Sequence, residues 1–361
     1  MNKNNACIKT LKVSWVALFL IVLSYPLHAS DLSESSEATE LIFLNWSDYM
    51  DPQILEEFEQ RTGVTVKQTY FESDAARDEL LLETGGRGFD LAIIDGTAIR
   101  ILAKRGWLEP VDETDIPNLK HVNPRWRAIH EQAEAHSVPY FWGTLGIAYR
   151  QDLVPFPVTS WMDILQPAEA LKGRVGMLSG SRDLIGVALK ALGYSLNSTD
   201  AQELKEADAL LQAQAPAVKT YKIVSRDENS ALVNGQVAMS MMYNGGALML
   251  QQHHDDIAFV LPKEGGNIWV DYISVLRAST NKAAAKEFIN FINEPEIAAR
   301  LAQFVYYATP NLAAEALLPA EFKSDRVIYP SEKALEKSET NQRLPARTQK
   351  IRAAIFSRLV N

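Results

Sequence analysis

Aromatic and acidic side chains recur near the ends of predicted strands and helices of this sequence. Aromatic faces attract cations, by about 2 kcal/mol or more once the cation is desolvated, and they also cover methylene groups. A carboxylate offsets the several kcal/mol that burial of an unpaired ammonium costs. The set therefore suits a flexible diamine or triamine, although each aromatic could simply fill a core. Its members are Trp46, Tyr49, Asp95, Asp183, Tyr243, Trp269, Asp271 and Tyr307.

Signals for catalysis are poor. The sequence has no G-x-S-x-G, P-loop, H-E-x-x-H or Rossmann glycine motif, so we expect no enzyme and no cofactor. Gly85-Gly86-Arg87-Gly88 lacks the Lys-Ser/Thr of a P-loop and is typical of a helix end. His253 and His254 leave one alternative, an exported metal-dependent hydrolase, but adjacent histidines in a polar stretch are typical of a solvated loop.

Composition narrows the class of protein. The 361 residues contain 45 Asp and Glu against 36 Lys and Arg, a net charge of −9. This balance argues against phosphate neutralisation, so we expect no nucleic-acid partner. Because a domain typically has ~100–200 residues, the length predicts two domains.

The N-terminus predicts export. Residues 1–29 have three lysines, an apolar run over 13–23 and a small-residue cleavage site at Ala29, as a signal peptide does. The apolar run is shorter than the ~20 residues that a membrane span needs. Cys7 is the only cysteine, so the mature chain would have no disulfide. We therefore expect a soluble periplasmic monomer.

The elements that must position the site follow an α/β pattern. Predicted strands at 41–44, 64–71 and 89–94 alternate with helices, which indicates a parallel α/β lobe. Residues 139–149 are extended and apolar and could cross between lobes.

After this crossing the pattern restarts. Strands are predicted at 174–178, 218–223, 237–243, 257–261 and 268–276, with a short helix at 230–234. We expect residues 30–141 with 272–310 to form lobe 1, and 142–271 with 311–361 to form lobe 2. Two such lobes predict a ligand cleft between them, at the carboxyl ends of the strands.

The chain resembles the bacterial periplasmic spermidine/putrescine-binding proteins over nearly all of 41–361. The resemblance implies a two-lobe periplasmic-binding-protein fold, type II-like, with lobes that close on a polyamine and no catalysis. Eight segments match in order: NWSDYMDP (45–52), FDLAII (89–94), PYFWGT (139–144), TSWMDIL (159–165), ALKALGYSLNSTD (188–200), PKEGGNIWVD (262–271), ATPNLAAEALL (308–318) and IYPSEKAL (328–335).

The same resemblance implies roles for individual residues. Ser47 falls where relatives hydrogen-bond an amine, Asp271 matches the acid that pairs with one ammonium, and Asp183 matches a family Glu. The family's amine-binding Gln falls on Asn341 or Gln342. The aromatic box falls on Trp46, Tyr49, Tyr243, Trp269 and Tyr307.

Two departures from the family's pattern stand out. Ser179-Gly180-Ser181 lacks a second family acid, whereas Asp95-Gly96-Thr97 replaces Ser-Thr-Tyr. Asp95 and Thr97 therefore join the candidate binding residues. We hypothesise that charge has moved across the cleft and has changed the preferred amine spacing.

Two outputs stay open. The receptor could deliver spermidine, norspermidine or putrescine to an ATP-driven membrane permease. Alternatively it could report polyamine to a membrane-bound cyclic-di-GMP enzyme that controls biofilm.

Overall fold

The computed structural model describes residues 39–222 and 225–360. The predicted signal peptide, residues 1–29, lies outside this part. No helix of the described residues is long and apolar enough to cross a membrane. The strands are β1 Glu40–Asn45, β2 Thr65–Tyr70, β3 Leu91–Asp95, β4 Val138–Arg150, β5 Val175–Gly176, β6 Val218–Thr220, β7 Met239–Tyr243, β8 Ile257–Val260 and β9 Ile268–Val275.

Most of the segments that connect these strands contain helices. They are α1 Pro52–Thr62, α2 Asp74–Thr84, α3 Gly96–Lys104, α4 Pro124–Ala128, α5 Ala133–His136, α6 Met162–Leu165, α7 Ser181–Ala191, α8 Ala201–Gln214, α9 Asn244–Gln251, α10 Lys282–Ile292, α11 Pro295–Val305, α12 Leu312–Leu317, α13 Ala320–Ser324, α14 Glu332–Leu335 and α15 Ala346–Val360.

The residues at its two ends set the bounds of α1. The Asp51 side chain accepts a hydrogen bond from the Gln53 N–H at 2.9 Å, and Pro52 takes the first helical position. Gly63 ends the helix with a left-handed φ of 73°, which glycine adopts without steric cost.

The first lobe has a mixed sheet. β1 pairs in parallel with β2 and β3, as the repeated strand–helix units predict, but β9 lies antiparallel to β3. The lobe is therefore not purely parallel, because β9 enters from a distant part of the chain. In the second lobe β5 pairs in parallel with β6 and β7.

One long strand, β4, links the two lobes. Residues 138–144 of β4 pair with β9, and residues 145–150 pair with β7 and β8. The predicted extended stretch 139–149 is thus a continuous strand that passes from one lobe to the other. It contributes Phe141 to the core of one lobe and Leu145 to the core of the other.

Separate cores support the two lobes. The first surrounds β1, β3 and β9 and includes Phe43, Phe58 and Phe288; the second surrounds β5 and β7 and includes Trp161. Ala314 and Leu335 lie in the range 311–361 that was predicted for lobe 2, but they pack in the first core. The lobe boundaries given above stay a prediction.

The predicted helix at 230–234 is wrong, since this segment forms turns. Its backbone groups have other partners. The Arg150 guanidinium donates to the carbonyl oxygens of Leu232 and Val233, at 3.2 and 2.7 Å. A single Asn234 N–H to Ser230 O hydrogen bond, at 3.0 Å, closes one turn.

We predict that Phe288→Ala lowers the free energy of unfolding by about 3–5 kcal/mol, because it leaves a cavity beside Phe43 and Phe58. Phe304→Ala is the matched control, since Phe304 is 41% exposed and should change stability by only about 0.5 kcal/mol. Denaturant unfolding measures both. Equal losses in the two variants would contradict the assigned core.

Candidate functional site

The candidate site is built on one face of β9. Trp269 and Asp271 are half-buried, whereas Ile268, Val270 and Tyr272 between and beside them are buried. Side chains two residues apart share a strand face. The alternating burial therefore places Trp269 and Asp271 on one face of β9 and Val270 on the other.

Tyr49 joins this face from the loop after β1. Its hydroxyl donates to the Asp271 Oδ2 at 3.0 Å. The backbone carbonyl of Tyr49 accepts from the Tyr140 hydroxyl at 2.7 Å, which holds the loop against β4. Two sequence-distant segments therefore meet at one carboxylate.

Four aromatic rings form a continuous line through the site. The Tyr49 and Tyr307 ring centroids lie 5.8 Å apart, those of Tyr307 and Trp269 4.7 Å, and those of Trp269 and Tyr243 6.0 Å. All three contacts are edge-to-face, so the rings present faces and edges in alternation. Gly245 permits this packing, since a Cβ there would lie 2.4 Å from the Tyr307 ring.

Asp183 stands at the other end of the line, in the first turn of α7. Its Oδ2 accepts from the Tyr243 hydroxyl at 2.9 Å. Its Oδ1 accepts from the side-chain amides of Asn341, at 3.2 Å, and Asn267, at 3.4 Å. The aromatic line thus runs from one carboxylate, Asp271, to another, Asp183.

Asp271 has an unusual electrostatic environment. Burial, then the negative charges of Asp74 and Asp95, raises its pKa to about 8, although the hydrogen bond from Tyr49 lowers the pKa somewhat. Burial and the same carboxylate hold the pKa of Tyr49 well above its ordinary value. Tyr49 therefore stays a neutral donor, and the free protein holds a proton on Asp271 at neutral pH.

Asp95 differs from the other two acids. Its Oδ2 accepts from Arg77 at 2.7 Å, and its Oδ1 accepts from Arg182 at 3.3 Å and from the Thr97 N–H at 2.9 Å. Burial raises the pKa of Asp95, but the two arginines outweigh burial and hold that pKa below its ordinary range. Ligand binding by Asp95 and Thr97 stays a prediction, and these ion pairs argue against it.

The remaining candidates lie around this centre. Trp46 packs on Phe71, with ring centroids 4.3 Å apart. Ser47 is exposed, and its carbonyl accepts from Arg226 at 3.2 Å. Asn341 reaches Asp183, whereas the exposed Gln342 is held through its backbone N–H by Asn197. The structure thus brings Asn341 into the site and leaves Gln342 outside it.

Three residues of the site were missed from the sequence: Arg77, Arg182 and Asn267. A signal existed for two of them. Arg182 precedes Asp183 at a helix start, and Asn267 precedes Trp269 and Asp271 with strand spacing. Nothing local indicates Arg77, which lies inside α2 and is fully buried.

The histidine pair takes no part in this site. His253 and His254 follow α9, and the His254 Nδ1 accepts from the Asp256 N–H at 3.3 Å. Within residues 39–222 and 225–360, no group of three or more His, Cys, Asp or Glu side chains could hold a metal ion.

Fold and site together define a two-lobe solute-binding protein. The chain belongs to the bacterial extracellular solute-binding protein family, whose model matches residues 53–328. It is 33% identical over 324 residues to the norspermidine sensor of Vibrio cholerae, with 89% of each chain covered. It is 30% identical over 309 residues to the spermidine/putrescine-binding periplasmic protein of Escherichia coli, which covers 85% of this chain and 88% of that relative.

A solved structure supports the same grouping. The spermidine/putrescine ABC transporter substrate-binding protein of Streptococcus pneumoniae superposes with a TM-score of 0.78 at 30% identity, covering 89% of this chain and 98% of that one. The predicted family resemblance and two-lobe fold are confirmed.

We predict that Asp271→Asn stabilises the ligand-free protein at pH 8. The folded carboxyl titrates near pH 8 and the unfolded one near ~3.9, so the parent loses stability as pH rises between these values. The variant should avoid that loss and gain at least about 1.4 kcal/mol, the equivalent of one pKa unit.

Urea unfolding at pH 5 and pH 8 measures this effect, and the exposed Asp255→Asn serves as control. Identical pH dependence in parent and Asp271→Asn would show that the carboxyl is not perturbed.

Proposed function

We propose that this chain is a periplasmic polyamine receptor that closes its two lobes around spermidine, norspermidine or putrescine and delivers it to an ATP-driven membrane permease. The observation that carries the proposal is the line of four aromatic rings between Asp271 and Asp183. On this proposal the protein binds and releases its ligand without catalysis. It is exported, cleaved after Ala29 and monomeric.

The chemistry of a polyamine fits this line. Its terminal ammonium groups need carboxylates, and Asp271 and Asp183 supply them at opposite ends of the site. The methylenes between ammonium groups need apolar cover, which Trp269 and Tyr307 supply together with cation–π attraction. A neutral sugar would hydrogen-bond to these half-buried acids but would leave their charges uncompensated.

The second candidate output is sensory. The similarity to the Vibrio cholerae norspermidine sensor favours it. In that case the closed receptor would signal to a membrane-bound cyclic-di-GMP enzyme rather than feed a permease. Deletion of the gene distinguishes the two: loss of polyamine uptake supports transport, and a changed cyclic-di-GMP level with normal uptake supports sensing.

Calorimetry of the purified mature protein tests the proposal, with putrescine, spermidine, norspermidine and spermine as ligands and a neutral sugar as control. We expect polyamine binding in the parent. Asp271→Asn should weaken it by roughly thirtyfold to several thousandfold, since removal of one partner of a buried charge pair costs ~2–5 kcal/mol. Trp269→Ala should also weaken it, whereas Asp255→Asn should not. Absence of polyamine binding by the folded parent would refute the function.

Binding should also release a proton. Asp271 is protonated at pH 7 in the free protein, and an ammonium beside it favours the ionised form. We therefore expect release of up to one proton per ligand at pH 7 and an affinity that rises between pH 6 and pH 8.

Calorimetry in buffers of different ionisation enthalpy measures this release. The Asp271→Asn variant should show none of it. A parent that binds polyamine with no proton exchange would contradict the assigned state of Asp271.

A further inference from the structure

Asp95 has no acceptor site left for a ligand. A carboxylate offers about four lone-pair positions. The Asp95 oxygens accept from Arg77, from Arg182 and from both the N–H and the hydroxyl of Thr97. By contrast, the hydrogen bonds to Asp271 and Asp183 come from the neutral groups of Tyr49, Tyr243, Asn267 and Asn341.

The two arginines on Asp95 are not equivalent. Arg77 is fully buried and also pairs with Asp74 and Asp78, so it stabilises α2. The Arg182 side chain is 42% exposed. Its ion pair is with Asp95, and it also interacts electrostatically with Asp183, the residue that follows it. Arg182 is therefore the more accessible of the two cations, and its removal leaves Asp95 paired with Arg77.

Arg182 reaches Asp95 across the site. It lies in the first turn of α7, whose next residues Leu184 and Ile185 pack in the second core, while β3 belongs to the first. Asp95 is the strand-register partner of Asp271, and such partners lie ~4.5–5.5 Å apart between Cα atoms. The Arg182–Asp95 ion pair thus adjoins Asp271 in the sheet, because Asp95 is the strand neighbour of Asp271.

We propose that Arg182 is a specificity-determining residue: it is a built-in cation that occupies Asp95 and so keeps a further ligand ammonium out of this end of the cleft. The inference rests on the proposed polyamine function and refines it. Two carboxylates remain for the ligand, which favours diamines and triamines. A linear tetraamine would bring another positive charge close to the guanidinium, and like charges repel.

The test compares spermine with spermidine on the full-length mature chain. Arg182→Gln frees Asp95 and makes the site more negative by one charge. We expect the affinity for spermine relative to that for spermidine to rise at least tenfold, as one charge-assisted hydrogen bond allows. The ratio is the readout because loss of the Asp95–Arg182 pair could weaken lobe closure equally for both ligands.

Three variants act as controls. Arg182→Lys keeps the charge and should keep the parental ratio. Arg358→Gln removes a different arginine, one that is half-exposed and pairs with Asp208 at 2.6 Å, and should also keep it. In the double variant Arg182→Gln/Asp95→Asn the gain for spermine should disappear.

The outcomes separate the two proposals. A parent that binds spermidine, with an Arg182→Gln variant whose ratio is unchanged, overturns the role of Arg182 and leaves the receptor function intact. A gain that persists in the double variant likewise overturns it, because the gain would not pass through Asp95. A folded parent that binds no polyamine overturns both.

Discussion

The hydrogen bond from Tyr49 to the half-buried carboxyl of Asp271 is the interaction on which the rest of the site depends. A neutral hydroxyl orients the carboxyl but does not neutralise its charge. Burial and the neighbouring carboxylates keep a proton on Asp271 in the free protein, and a bound cation favours its release. Asp271 has no cation of the chain in its hydrogen bonds, so a ligand ammonium can supply the positive charge that stabilises its ionised form.

The contrast between Asp271 and Asp95 shows how neighbouring acids on paired strands can have opposite roles. The two are register partners on β3 and β9. Arg77 and Arg182 meet the charge of Asp95 from within the chain. The number of acids in such a cleft is therefore a poor guide to the number of ammonium groups that it binds. The acids that accept hydrogen bonds only from neutral groups, Asp271 and Asp183, are the ones that remain for a ligand.

The connection of β4 to three strands explains why the site lies where it does. Its first half belongs to the sheet that carries Asp271, and its second half to the sheet that carries Tyr243. Because β4 belongs to both lobes, it fixes the position of one end of the aromatic line relative to the other. It also leaves each lobe with a core of its own, as hinged closure requires.

The sequence by itself determined what depends on near neighbours: the bounds of α1 from Asp51 and Gly63, the strands of the first lobe, and the shared face of Trp269 and Asp271. Caps and strand alternation act over a few residues, so they can be predicted from residue order.

Only the tertiary structure decided the pairing of Arg182 with Asp95, the antiparallel entry of β9, and the choice of Asn341 over Gln342. The turn at 230–234 also involves a distant residue, Arg150, whose guanidinium donates hydrogen bonds to two carbonyl groups of the turn. Arg182 and Asp95 are 87 positions apart, and Asn341 and Asp183 are 158 apart. Contacts at such separations depend on how whole lobes pack, and residue order carries no local signal for them.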